Sequence, residues 1–502
     1  MKLFKMGVIS ALFSVAIVIG ANSCNSSSGD DKKAGSGSSS KDITPTSANK
    51  DAVMAFQEGL ASFDLADTKK ARAAFTKAIG LDPKFGLAYL YRANTSTSSK
   101  EFADDINMGK SNMEGASEWE KMYADYQMAA LSGDRNKQIT IMEKIAAANP
   151  ESARAQGDLA NAYFGNNNFD KTIAAYEKAM SLDPKWVGGH AGATQYYLFG
   201  DKKDPKKAEE HASKVVELAP KSAGAEILLG DVYRAENDLQ KAKDAYAKAI
   251  ALDPESPDAY AKEGNANSFL GNYDEARKNF TDGASHSDNK AGAIGPISYT
   301  YLYANGDYKT AIKTLKDGIA KIDAASPNAA SDESNLLNVA ATIAFHYNDV
   351  ASLKEMAPRL SMLSEKVNND LGTPEAKNLT KADVASWAAI IAMSDGKYDE
   401  AKAKLEEMKT ALDPIKDDRK LENYHYLMGR ICMMQKNYTD AVNHFAAADQ
   451  TAIYNKYWQA MANEMAGNKD KATALYKEVA AYNFNDVGNA LVRTEAKKKA
   501  GA

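Results

Sequence analysis

Proline returns at a near-constant interval along this chain. Pro150, Pro184, Pro220 and Pro254 are spaced by 34, 36 and 34 residues, and Pro83 precedes Pro150 by 67, the length of two units. A unit of this size is one supersecondary element that cannot bury its apolar face alone, so such chains stack their units into a solenoid. Each proline follows an apolar stretch and is preceded by Asp, Asn or Ala, as in Leu182-Asp183-Pro184 and Leu252-Asp253-Pro254. Proline cannot continue a helix and sets the turn into the next one.

Inside each unit a second landmark recurs. It reads Gly271-Asn272-Tyr273-Asp274-Glu275-Ala276 and again Gly396-Lys397-Tyr398-Asp399-Glu400-Ala401, with weaker copies ending at Thr172, Ala242, Ala311, Ala441 and Ala472. The pattern predicts that Gly or Asn takes a tight turn, that the Asp caps a second helix, and that the Ala lets two helices approach closely. Four residues later, on the same helix face, stands a large apolar or aromatic residue: Tyr176, Tyr246, Phe280, Leu405, Phe445 or Tyr476. The clearest single unit is 223–256, with Leu229-Gly230 and Tyr233, then Ala242, Tyr246 and Ala249, then Pro254. Landmark by landmark these residues resemble the tetratricopeptide repeat family, over about 430 of the 502 residues. The resemblance implies an all-α, right-handed superhelical solenoid of about eleven helix pairs with a C-terminal capping helix ending near Lys497-Lys498-Lys499. Residues 51–325 read as an N-terminal array with 86–118 degenerate, 326–381 as an irregular helical repeat, and 382–500 as the C-terminal repeats and cap.

The first 50 residues are built differently. Lys2 and Lys5 precede an apolar run, Met6 to Gly20, too short to span a bilayer and suited to a signal peptide. Ala21-Asn22-Ser23-Cys24 then resembles a lipobox, with Ala21 where Leu is commonest. The resemblance implies cleavage after residue 23, acylation of Cys24, and a flexible lipidated tether over 24–50 rich in Ser, Gly and Lys. The expected location is the cell envelope, at the outer rather than the inner membrane.

Chemistry is hard to find. His190, His211, His286, His346, His425 and His444 are scattered, with no local metal-ligand spacing and no His-Glu-x-x-His. Met108-Gly109-Lys110-Ser111 ends like a phosphate loop, but Asp104 occupies the place of its upstream glycine. The expectation is no enzyme, no cofactor and no metal. A net charge of -5, falling to -7 without Lys2 and Lys5, argues against nucleic acid as a partner. Function then falls to a surface. In the tetratricopeptide architecture the first helices of successive repeats line a concave groove that receives a peptide or protein segment. Register places Asn161, Gln195, Asp231 and Asn265 in that groove, beside Phe164, Phe199 and Phe269. Repeats that hold chaperone tails carry Lys and Asn one turn apart, but Gly157 and Ala261 precede Asn161 and Asn265, so that clamp is not expected. The leading expectation is an envelope-anchored protein-interaction scaffold. The alternative is a lipoprotein of a nutrient-uptake system that binds a glycan or small ligand through aromatic platforms, for which Trp119, Trp186, Trp387 and Trp458 are too spread along the sequence.

Overall fold

The computed structural model describes residues 44–287, 289–326 and 328–501. The signal segment and Cys24 lie outside the described residues. Helix hairpins follow one another in chain order: α1 (Lys50–Asp64) with α2 (Thr68–Leu81), α3 (Gly86–Ala93) with α4 (Ser99–Ser111), and α5 (Glu118–Leu131) with α6 (Arg135–Ala148). Next come α7 (Ala153–Gly165) with α8 (Phe169–Leu182), α9 (Val187–Phe199) with α10 (Pro205–Leu218), and α11 (Ala223–Ala235) with α12 (Leu239–Leu252). The array continues with α13 (Pro257–Leu270) and α14 (Tyr273–Ser285), α15 (Ile294–Asn305) and α16 (Tyr308–Ile319), and α17 (Ala329–His346) and α18 (Val350–Asn369). It closes with α19 (Ala376–Ser394) and α20 (Tyr398–Leu412), α21 (Glu422–Met434) and α22 (Tyr438–Ala446), α23 (Ile453–Met465) and α24 (Lys469–Ala481), and the single helix α25 (Val487–Ala500). The fold is an all-α solenoid of helix hairpins, with no strand among the described residues. Among the described residues there are twelve pairs, close to the eleven or so expected, and the degenerate stretch 86–118 holds a complete hairpin whose first helix has only 8 residues. Residues 326–381 carry two long helices of 18 and 20 residues. The described residues divide into two compact units, one running to residue 266 together with 281–290, the other comprising 267–280 and 291 onward.

The landmarks act as local physics requires. In most hairpins the turning residue lies in the left-handed region: Asn167, Asn237 and Asn348 have φ of 57°, 65° and 55°, and Gly271, Gly396 and Gly467 have 85°, 78° and 89°. Glycine and asparagine tolerate that region best. The cap is one residue from where the sequence suggested. Asp67, Asp134 and Asp238 each sit at the N-cap and accept a backbone N–H three residues on. Asp274 and Asp399 lie instead within the first helical turn, where their charge faces the positive end of the helix dipole. Before Pro184 and Pro254, Asp183 and Asp253 leave the helix at φ of -138° and -141°, as the proline ring demands.

Packing within a hairpin depends on a small residue facing a large one. A Cβ on Gly230 would lie 2.4 Å from the Tyr246 ring, so only glycine fits there without displacement. Phe75, Tyr246, Phe280 and Phe445 are at most 1% exposed, each contributing about 1.5–3 kcal/mol by burial.

Two features reach beyond neighbouring repeats. Residues 44–49, expected to belong to the tether, are tied to the first unit: the Thr46 N–H donates to Glu120 (2.8 Å) and the Ser47 hydroxyl to Asp82 (2.5 Å). Helix α25 does more than cover the end of the array. It packs on α24 and also on α15, α17 and α23, and buries Val487, Leu491, Val492 and Ala496. The Tyr303 hydroxyl donates to Asn485 just ahead of it, at 3.0 Å.

Candidate binding cleft

The first unit turns tightly enough for its first hairpin to meet later repeats. The Asp64 carboxylate at the end of α1 accepts two hydrogen bonds of 2.6 Å from the Arg154 guanidinium on α7. It also accepts one of 2.9 Å from the indole N–H of Trp186, just ahead of α9. The Arg154 guanidinium lies 5.1 Å from the Trp186 ring centroid. Burial alone would lower the Arg154 pKa; Asp64 and Asp158 outweigh it and raise it. Further along, Lys70 bonds Asp253 at 2.7 Å. The first hairpin of this unit thus crosses over to later repeats of the same unit.

Next to that crossing a cleft of about 50 Å³ remains between α1, α3, α4, α5, α6 and α7. Its size suits a few waters or one small side chain. Tyr91, Tyr123 and Tyr126 form one wall, stacked with ring centroids 5.0 and 5.6 Å apart. Tyr91 donates to Asp158 at 3.3 Å, Asn94 donates to the Tyr123 hydroxyl at 3.2 Å, and Gln127 donates to Asn94 at 3.0 Å. Burial raises the pKa of all three tyrosines, so their hydroxyls stay protonated and can donate. Gln138, Asp158, Asn161 and Asn166 share the lining with Arg135 and the apolar Phe63, Phe102 and Met142. The arrangement brings aromatic rings, amides, one carboxylate and the Arg135 guanidinium around one small space.

The groove residues read from register fare unevenly. Asn161 does line the cleft, but its side-chain oxygen accepts from Tyr176 on the second helix of its own repeat. Asp231 departs furthest from expectation. It is 2% exposed and is bound by Tyr246 (2.7 Å), Arg234 (2.7 Å) and Lys262 (2.6 Å). A carboxylate already holding two cations and a tyrosine is a structural node, not a free groove-facing group as register suggested. The Gln195 side-chain oxygen is buried without a partner, and Asn265 is half-buried. Phe164 packs 5.9 Å from Phe169, and Phe199 joins the same core. Phe269 lies in the other unit, under the Arg493 guanidinium at 4.8 Å. The seven residues do not form one ladder. The tyrosine wall escaped the sequence reading because α3 and α5 lack the landmarks that set the register; their signal was the aromatic spacing Tyr89-x-Tyr91 and Tyr123-x-x-Tyr126.

Comparison with known proteins agrees with the hairpin geometry. Residues 52–85 and 153–185 match the family model "Tetratricopeptide repeat", and 230–268 match "TPR repeat". The chain carries tetratricopeptide repeats. Among curated proteins, these repeats are similar to stress-induced-phosphoprotein 1 of Caenorhabditis elegans, 23% identical over 270 residues, covering 45% of this chain and 81% of that protein. Among solved structures, YrrB, described as a TPR protein with an unusual peptide-binding site, is 23% identical, covering 36% of this chain and 91% of its own, at a TM-score of 0.27. The APC/C hetero-tetramer Cut9-Hcn1 is 16% identical and covers 85% of this chain and 76% of its own, at a TM-score of 0.39. Among the described residues no helix of this tetratricopeptide array is long and apolar enough to cross a membrane.

Proposed function

We propose that this chain is a non-catalytic scaffold that holds a protein or peptide segment by seating one of its side chains in the tyrosine-walled cleft of the first unit. We further propose that acylated Cys24 anchors it to the bacterial cell envelope. The observation that carries the binding role is the tyrosine-walled cleft, where Asp158, Asn161 and Asn166 gather beside three stacked rings. The glycan alternative lacks comparable support. Trp387 is 6% exposed, Trp186 is held by Asp64, Trp458 lies under Arg430, and Trp119 packs on the first core.

Gln138 is half-buried at the cleft edge, so Gln138→Trp fills the opening without touching a repeat landmark. Affinity capture from solubilised envelope is expected to lose its protein partners with this variant, while the circular-dichroism melt stays unchanged. Undiminished capture would reject the cleft. For the anchor, Cys24→Ser is expected to release the protein from membranes, and membrane retention of that variant would reject lipidation.

A further inference from the structure

Two repeats hold a histidine pair in the same place. His190 on α9 and His211 on α10 bring their Nδ1 atoms to 3.1 Å, and His425 on α21 and His444 on α22 do the same at 3.1 Å. Ring centroids are 5.3 Å apart in both pairs, with interplanar angles of 43° and 37°. The positions correspond. His190 and His425 stand four residues before Thr194 and Gly429, and His211 and His444 stand three residues after Ala208 and Ala441. All four rings are half-buried at the hairpin surface.

We propose that each pair is a bidentate site for a divalent first-row transition cation, bound through the two Nδ1 atoms. Metal–imidazole bonds of about 2.0–2.1 Å spanning nitrogens 3.1 Å apart subtend about 95–100°, close to the right angle of tetragonal nickel(II) and copper(II). A second observation sets the tautomer. His190 Nε2 lies 3.0 Å from the Pro184 carbonyl oxygen and donates its proton there, so its Nδ1 accepts the Nδ1–H of His211; the cation takes the place of that proton, which moves to Nε2 of His211. Metal-bound histidines are held by this kind of outer hydrogen bond. Tyr197 stacks on His211 at 5.8 Å and 7°, fixing the second ring. Among the described residues no group of three or more His, Cys, Asp or Glu gathers at either pair, so each pair supplies two of the cation's ligands. Sequence separations of 21 and 19 residues hid the pairs from any local-spacing rule.

The full chain, without an affinity tag, is titrated with nickel(II) alone in a calorimeter. His211→Asn and His444→Asn are each expected to remove one equivalent and the double variant two, while His286→Asn removes none. Unchanged stoichiometry in the double variant overturns the proposal. A measurement on the unsubstituted protein guards against misfolded variants: nickel(II) is expected to protect His190, His211, His425 and His444, but not His286, from carbethoxylation read by mass spectrometry. Equal modification of all five with and without the metal also overturns it.

Discussion

The guanidinium of Arg430 lies 3.7 Å from the ring centroid of Trp458 and 4.3 Å from that of Phe345. It is 3% exposed and donates to the Tyr426 hydroxyl at 2.8 Å. Among the described residues no carboxylate forms a salt bridge with it. Aromatic faces on α17, α21 and α23 therefore take the place of a counter-ion. A planar, weakly hydrated cation suits such a cage, whereas an ammonium does not. Arg430→Lys is expected to destabilise the second unit by about 2 kcal/mol. Arg430→Met, which gives up the charge and its desolvation cost together, is expected to stay within about 1 kcal/mol of the parent. Urea denaturation of the two variants tests the ordering; a Lys variant as stable as the Met variant would exclude the cage.

Asp231 makes the opposite kind of node, a carboxylate with two cations and a tyrosine. Burial pushes its pKa up, but Lys262 and Arg234 outweigh it and hold it below the usual carboxylate range. Asp231→Ala leaves both cations uncompensated and is expected to cost about 3–5 kcal/mol. Hydrogen exchange should show the loosening in α11, α12 and α13 before distant repeats, because solenoid contacts are between neighbours. The depressed pKa places its stabilising contribution above the unfolded value near 4, with loss as pH falls through the folded value. A melt unchanged by Asp231→Ala would return this residue to the groove.

Asp383 behaves in reverse. It is 5% exposed on α19, and burial raises its pKa to about 7, against hydrogen bonds from Ser364 and Asn368 that lower it. The folded state holds this proton between about pH 4 and 7, where the unfolded chain has released it. Stability from this group is therefore present at low pH and declines as pH rises through 7. Asp383→Asn, which cannot ionise, is expected to flatten the fall in urea midpoint between pH 5 and pH 8. The same slope in parent and variant would contradict the assignment.

The period, the turn residues and the small-against-large packing were legible because each concerns residues close in sequence. Asn237 turns a hairpin, Asp238 caps the next helix and Gly230 admits Tyr246, all within 17 positions of one another. Dihedral limits, capping and a helical period settle such contacts without knowledge of the rest of the chain. The stretch 86–118 read only as degenerate for the same reason: without landmarks its register, and with it the tyrosine wall of the cleft, could not be placed.

What the tertiary structure decided lies between distant repeats. Asp64 meets Arg154 and Trp186 across 90 and 122 residues, and α25 comes back to α15 and α17. These meetings depend on the small rotation between one hairpin and the next, accumulated over several repeats. A rotation of that kind is set by the fit of whole helix faces, so no single repeat encodes it. The sequence therefore determined that helices pair and how each pair turns, and only the accumulated rotation decided which of their side chains meet.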